Sequence, residues 1–265
     1  MSINQSSQPG KQSAVPRLVS TEPITRHVLV LASSDDMATI DLTRRLREIG
    51  APATVIQDFD EAQRMLEEAS LDIGAILIPT HFDTKALKQT LEEVVANAPP
   101  EGLGFISVGK PATKAECKNL RKAGVKLALW NPLCEAYLRF QINRALFADH
   151  NGFGNRDNPR VPTELGCTVT VGERKKETLL YSLAANGAYL ATRRASMTGA
   201  QLQLELRLPD QSILATAKVV YANVPGNLQR PGLPLGMGVQ FEPLGRDDQK
   251  RLKKYIVECI QTLEV

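Results

Sequence analysis

The hydrophobic period of the sequence changes near residue 150, and this change constrains the fold more than any other feature. Between His27 and about residue 148, short apolar runs such as HVLVL (27–31) alternate with segments whose apolar residues recur at helical spacing. Such runs are typical of strands that are buried on both faces of a parallel sheet. From Thr168 onward the period is two, most clearly over Leu202–Leu208, which is typical of half-buried antiparallel strands. The sequence therefore predicts two domains of different classes.

The N-terminal part contains five predicted strands, and a segment with helical spacing follows each of them. The strands are predicted at Thr54–Ile56, Ile73–Ile78, Phe105–Val108 and Lys126–Trp130, in addition to His27–Leu31. Consecutive strand–helix units of this kind predict an α/β doubly wound five-stranded parallel sheet with helices on both faces.

The C-terminal part contains about six predicted strands with short connections, and one helix follows them. A strong turn signal at Asn186-Gly187 and the turn residues of 209–212 mark two hairpins. Short antiparallel strands with such turns predict an all-β six-stranded barrel. Either Asp247 or Asp248 is expected to cap the final helix, whose apolar face includes Leu252 and Ile256.

Two segments lack a hydrophobic period and divide the chain. Residues 1–25 are rich in Ser, Gln and Pro, which predicts a disordered tail. Residues 149–162, DHNGFGNRDNPRVP, carry the glycines, asparagines and prolines of a linker. The predicted domains are therefore 26–148 and 163–265.

Composition excludes several classes of function. The net charge of +3 gives no reason to expect DNA as a partner, and no apolar run approaches the roughly 20 residues that membrane insertion requires. The four cysteines are scattered and only three histidines are present, so no metal site is expected, and a reduced, cytoplasmic setting fits best. With no catalytic triad or phosphate-binding loop in the sequence, we expect neither an enzyme nor a cofactor. The oligomeric state does not follow from the sequence.

Residues 26–148 resemble the receiver domain of bacterial response regulators in the order of their elements. The closing segment GVKLALWNPLCEAYLRFQINRAL is similar to the last strand, proline turn and final helix of that family. The resemblance implies an acidic pair that binds Mg²⁺, an aspartate that accepts a phosphoryl group, and a lysine that contacts it. Counting along the sequence places these positions on Ser33, Ser34, Ile78 and Asn131.

None of these four residues can perform the chemistry that the resemblance implies. A shift of two residues would bring Asp35 and Asp36 into the acidic positions, but Ile78 would still be unable to accept phosphate. The sequence therefore predicts a pseudo-receiver domain without phosphotransfer.

The second half resembles the PilZ domain, a six-stranded barrel that binds the second messenger cyclic di-GMP in many bacteria. Arg156-Asp157-Asn158-Pro159-Arg160 matches the RxxxR motif of that family, and GMGVQF (236–241) is similar to its closing strand. The resemblance implies that Arg156 and Arg160 hold the phosphates and guanine edges of the ligand. The planar fork of arginine is suited to both groups.

The second motif of the family, [D/N]xSxxG, is only partly present. Gly187 matches its glycine, whereas Ser182 stands at the Asp/Asn position and Ala184 at the Ser position. Each missing charge-assisted hydrogen bond would cost about 1.5–3 kcal/mol of binding free energy. Arg193 and Arg194 are candidates for electrostatic compensation. The predicted ligand-binding residues are therefore Arg156, Arg160, Ser182 and Gly187.

Two hypotheses follow, and both describe a non-catalytic bacterial signalling adaptor. In the first, cyclic di-GMP binds Arg156 and Arg160, orders the linker and changes the angle between the domains, which regulates motility, pilus or exopolysaccharide processes. In the second, both small-molecule sites are degenerate and the chain is a ligand-independent protein-interaction module. Either hypothesis predicts protein partners from a motility or signalling apparatus.

Overall fold

The computed structural model describes residues 25–31, 37–80, 82, 87–98, 102–146, 158–229 and 233–265. Residues 1–24 of the predicted tail, most of the predicted linker, and the positions Ser33, Ser34 and Arg156 lie outside the described residues.

A five-stranded parallel sheet forms the N-terminal domain. Its strands are β1 (His27–Leu31), β2 (Ala53–Ile56), β3 (Ile73–Pro79), β4 (Gly104–Gly109) and β5 (Leu127–Trp130), in the order β2-β1-β3-β4-β5. The helices are α1 (Met37–Glu48), α2 (Phe59–Glu67), α3 (Leu87–Ala96), α4 (Lys114–Lys122) and α5 (Glu135–Leu146). This strand order is that of flavodoxin-like, doubly wound folds, so the predicted receiver-like class is confirmed.

The apolar strands bury both of their faces, as their sequence pattern indicates. Val28 and Val30 in β1 pack into one hydrophobic cluster, with α1 and α5. Leu29 and Leu31 pack into the cluster on the other face, with α2, α3 and α4. Alternate residues of the same strand therefore belong to different cores.

Arg26 ties the start of β1 to three other parts of the domain, and its side chain is buried. Its Nε donates to Oδ1 of Asp72 at 3.0 Å, and its Nη1 donates to the carbonyl oxygen of Leu146 at 2.8 Å. Its Nη2 donates to the carbonyl oxygens of Ile73 and Gly102. The buried charge is therefore satisfied by an ion pair and three carbonyl groups, as a buried guanidinium requires.

The C-terminal domain is a β-barrel, which closes because the strands at the two ends of its order pair with each other. The strands are β6 (Val161–Pro162), β7 (Gly166–Val171), β8 (Arg174–Ala184), β9 (Gly187–Ala191), β10 (Gln201–Arg207), β11 (Ser212–Val224), β12 (Asn227–Leu228) and β13 (Gly236–Phe241). The order β10-β7-β8-β9-β13-β11 becomes a ring because β11 also pairs with β10. This ring, followed by the helix α6 (Arg246–Leu263), confirms the predicted six-stranded antiparallel barrel with a C-terminal helix.

Two local expectations need correction. The N-cap of α6 is Gly245, and Asp247 and Asp248 instead lie in the first turn. Their negative charges interact favourably there with the positive end of the helix dipole. In addition, Val161 and Pro162 pair with Leu183 and Ser182, so the last two residues of the predicted linker are part of the barrel sheet.

The end of α6 packs against the receiver-like domain. The carboxamide of Gln141 in α5 donates to the carbonyl oxygens of Ala128 at 2.8 Å and Leu263 at 2.6 Å. Glu264 forms an antiparallel bridge with Leu127, and the amide of Val265 donates to the carbonyl oxygen of Lys126. The end of the chain thus pairs with β5, the edge strand of the parallel sheet. None of the helices in the described ranges is long and apolar enough to cross a membrane.

Candidate functional site

The carboxyl ends of the parallel strands are the edge at which doubly wound folds bind ligands. At this edge Ile78 is fully buried, in the same hydrophobic cluster as Leu29 and Ile56. Pro79 and Thr80 follow it, so the described end of β3 presents no carboxylate. A phosphoryl group would have no acceptor on this strand.

Asn131 follows β5 at the same edge and is exposed. Its backbone amide donates to the carbonyl oxygen of Gly109 at 2.8 Å, and its side chain is an uncharged amide. Across the described ranges, no group of three or more His, Cys, Asp and Glu side chains could hold a metal ion. Asn131 therefore supplies no cation for a phosphoryl group, and the described residues form no metal-binding group of this kind.

The barrel places Arg160 beside the second predicted motif. Val161 pairs with Leu183, so the same antiparallel register sets Arg160 opposite Ala184, at the end of β8. The turn of Ala185 and Asn186 follows directly. Arg160 is half-buried, and its partner in the motif, Arg156, lies outside the described residues.

The second motif lies on the outer face of the barrel and is buried there. Leu183 points into the barrel core, so its neighbours Ser182 and Ala184 point to the outside. Ser182 is 4% exposed and Ala184 is 0% exposed. These two positions, which would contact a ligand in the family, are therefore not open to solvent.

Helix α5 of the receiver-like domain covers the neighbouring residue of the same strand. Tyr181 is 1% exposed, and its phenol lies beside Arg139 and Asn143 of α5. Burial raises the pKa of Tyr181 strongly, although both neighbours act in the opposite direction. Arg139 is itself held in place, because its Nη1 donates to the carbonyl oxygen of Ile49 at 3.0 Å.

Three tyrosines form a row across the outer face of the barrel, from β8 through β9 to β11. The rings of Tyr181 and Tyr189 meet edge to face and those of Tyr189 and Tyr221 stack, with centroid distances of 5.9 Å in both pairs. A Cβ on Gly238 would lie 2.2 Å from the ring of Tyr221, so this glycine makes room for the row. This row was not predicted from the sequence, although the alternating glycines of GMG (236–238) are a signal that rings cross that strand.

Gly187 occupies its position for a reason of packing. A Cβ at this residue would lie 2.3 Å from the carbonyl oxygen of Val239 in the neighbouring strand β13. The close approach of two backbones excludes any side chain here. This requirement holds whether or not a ligand binds at the turn.

Arg193 and Arg194 lie too far from the second motif to compensate for it. They follow the C-terminal end of β9, whereas Gly187 begins that strand. Five residues of antiparallel strand span about 17 Å. The two arginines therefore belong to the opposite end of the barrel.

A comparison with protein families identifies the C-terminal half. Residues 154–258 match the family model of the PilZ domain. This part of the chain is a PilZ domain. The receiver-like domain precedes it, and α5 of that domain contacts β8 of the PilZ domain at Tyr181.

Solved structures similar to the chain fall into two groups, one for each domain. The PilZ half is similar to the inhibitor of motility from Bacillus subtilis (23% identity, 39% of this chain and 50% of that chain, TM-score 0.33). It is also similar to the PilZ domain of YcgR with c-di-GMP from Escherichia coli (14% identity, 40% of this chain and 92% of that chain, TM-score 0.33).

The N-terminal half is similar to the receiver domain of a sensor histidine kinase from Pseudomonas aeruginosa (20% identity, 46% of this chain and 98% of that chain, TM-score 0.39). The chain spans half the length of the Bacillus protein that it matches. No curated protein matches the sequence. The fold assignment rests on the strand topology and on the PilZ family model, since all three TM-scores lie below 0.5.

Proposed function

We propose that this protein is a cytoplasmic, non-catalytic signalling adaptor that acts through protein contacts. In this proposal the receiver-like domain and the PilZ domain form one unit, and neither requires a small-molecule signal. Its partners belong to a motility, pilus or exopolysaccharide apparatus, the processes that the PilZ resemblance implies.

The observation that carries this proposal is the burial of the outer face of β8. Ser182 and Ala184 are both buried, and Tyr181 beside them packs against α5. A guanine base could reach Ser182 and Ala184 only if the residues packed over them moved, and it would then find a hydroxyl and a methyl group in place of the two polar side chains of the motif. The loss of charge-assisted hydrogen bonds and the cost of opening this buried face both oppose ligand binding.

The receiver-like domain supports the same interpretation. Ile78 belongs to a hydrophobic core, and the described end of β3 carries no carboxylate. A receiver-like domain that cannot accept a phosphoryl group can still bind another protein through its surface. We infer that this domain binds a protein partner.

A second candidate is a cyclic di-GMP effector, which the position of Arg160 favours. The register of β6 sets this arginine opposite Ala184 and close to the turn before Gly187. Arg160 and the second motif are therefore close enough for both to contact one ligand at this end of the barrel. In this alternative, binding separates α5 from β8 and changes the angle between the domains.

Calorimetric titration of cyclic di-GMP into the full chain distinguishes the two candidates. The adaptor proposal expects no saturable heat from the wild type. Micromolar binding that disappears in Arg156→Ala/Arg160→Ala would overturn it and establish the effector. Circular dichroism of both proteins verifies that they are folded.

A restoring variant separates the missing side chains from the burial of the site. Ser182→Asn/Ala184→Ser returns polar groups to the second motif. Binding by this variant, with none by the wild type, would mean that residue chemistry alone blocks the ligand. Continued absence of binding by the folded variant would mean that the burial of the site blocks the ligand.

A further inference from the structure

The barrel has a cavity at the end formed by the β7–β8 hairpin. Its volume is about 510 Å³, which lies within the range of roughly 300–1,000 Å³ that is usual for small-molecule sites. Val169 and Met237 line it and also belong to the barrel core. The cavity therefore has an apolar floor, and mouths of barrels are common places for ligands.

Four cationic side chains line this cavity, and no carboxylate does. They come from two separate segments, Arg174, Lys175 and Lys176 at the start of β8 and Arg194 after β9. The nearby acidic residue Glu177 is engaged elsewhere, because it forms a salt bridge with Arg207 at 2.8 Å and accepts a hydrogen bond from Thr168. The cavity thus collects positive charge without a carboxylate in its lining.

Lys176 lies close to the segment that carries Arg194, and both residues are exposed. Its Nζ donates to Oγ1 of Thr192 at 2.5 Å and to the carbonyl oxygen of Arg194 at 3.5 Å. Burial, and next the positive charge of Arg194, lower the pKa of Lys176. Like charges placed together in this way are stabilised when an anion enters between them.

We propose that the mouth of the barrel binds a small organic phosphate that carries at least two negative charges. The cations and the hydroxyl of Ser196 would contact the phosphate oxygens, and the body of the ligand would pack on Val169 and Met237. Arginine and lysine at short range are the usual partners of phosphate groups.

This site is separate from the motif positions at the other end of the barrel. Ser182 lies six positions after Lys176 on β8, which corresponds to about 20 Å along a strand. Substitutions at the mouth therefore leave the region of Arg160 unchanged. Binding of an organic phosphate at the barrel mouth therefore does not depend on whether cyclic di-GMP binds near Arg160.

The test is calorimetric titration of the full chain with ADP and, separately, with inorganic pyrophosphate. The variant Lys176→Met/Arg194→Ala removes two cations of the mouth. Lys218→Ala is the matched control, since Lys218 is exposed on β11 of the same barrel. Thermal unfolding with and without each probe gives a second readout, because a ligand that binds the folded state raises the melting temperature.

We expect saturable binding of both probes to the wild type and to Lys218→Ala, with ADP bound more tightly. Affinity should fall by about tenfold or more in the double variant, since each lost charge-assisted contact is worth about that much. Without a probe, the double variant should unfold at a melting temperature close to that of the wild type, because the relief of like-charge repulsion offsets the two hydrogen bonds lost with Lys176. Absence of binding to the wild type, or equal binding to all three proteins, would overturn the proposal. Equal affinities for ADP and pyrophosphate would mean that packing of the ligand body on Val169 and Met237 adds no affinity.

Discussion

Gln141 and Leu263 join the two domains through a buried hydrogen bond. The Nε2 group of Gln141 in α5 donates to the carbonyl oxygen of Leu263, the last residue of α6, at 2.6 Å. The same amide group donates to Ala128 in β5 at 2.8 Å. One fully buried side chain therefore satisfies a carbonyl group on each side of the interface.

Replacing Gln141 by leucine should destabilise the protein. Gln141→Leu keeps the apolar volume but leaves two buried carbonyl groups without a donor, which costs about 1–3 kcal/mol. Urea denaturation at equilibrium measures the free energy of unfolding. Gln89→Leu is the control, because Gln89 is exposed on α3 and surface changes usually stay within about 0.5 kcal/mol. Equal stability of the two variants would contradict the bridging role of Gln141.

Replacing Gly187 by alanine should destabilise the barrel in the absence of any ligand. The new Cβ would lie 2.3 Å from the carbonyl oxygen of Val239, which is backbone and cannot rotate away. Overpacking of this kind costs about 1–3 kcal/mol. At Gly245 an added Cβ meets nothing within 4 Å, so Gly245→Ala should retain most of the stability. The melting temperatures of both variants test this, and a thermostable Gly187→Ala protein would show that the glycine is not needed for packing.

The receiver-like domain should not accept a phosphoryl group. Incubation of the wild type with acetyl phosphate and Mg²⁺ is expected to leave the mass of the intact protein unchanged, because Ile78 and its described neighbours on β3 offer no carboxylate. Intact-mass spectrometry gives the answer directly. An added phosphoryl group that is labile to hydroxylamine, as an acyl phosphate is, would refute this prediction.

Stability should decline at alkaline pH because the thiol of Cys167 is buried and that of Cys134 is half-buried. Burial, and next the nearby Glu164, raise the pKa of Cys134 from 9.0 to about 11, and burial raises that of Cys167 to about 12. A group whose pKa is higher in the folded state stabilises the protein fully below its unfolded pKa and loses this contribution as the pH rises to its folded pKa. The free energy of unfolding should therefore fall between about pH 9 and pH 12.

The variant Cys134→Ala/Cys167→Ala isolates the part of this decline that comes from the thiols. Its free energy of unfolding should fall less steeply than that of the wild type over the same range. Buried and half-buried tyrosines and Cys259, whose pKa values are also raised, contribute to the decline that remains. Identical slopes for the two proteins would mean that these thiols do not contribute.

Much of the fold could be predicted because its signals are local. The apolar run of His27–Leu31 and the strict alternation of Leu202–Leu208 each report which faces of a strand are buried, and both strands are present. The cap of α6 was predicted wrongly, because Asp247 and Asp248 are good N-cap residues and the chain nevertheless begins the helix after Gly245. The ligand role of Arg156, Arg160, Ser182 and Gly187 remains a prediction, since Arg156 lies outside the described residues.

The sequence by itself determined the two fold classes, the loss of an acidic group at Ile78 and the departure of the second PilZ motif at Ser182 and Ala184. Only the tertiary structure decided that these residues are buried and that α5 lies beside Tyr181. The hydrophobic period of a strand indicates that one of its faces is buried, but it does not identify the element that packs on that face. The helix beside Tyr181 is α5, which lies about 40 residues earlier in the chain. For the same reason the cations of the barrel mouth are apparent only in three dimensions. Folding brings the start of β8 and the residues after β9 to one rim, where charges that are distant in sequence become neighbours.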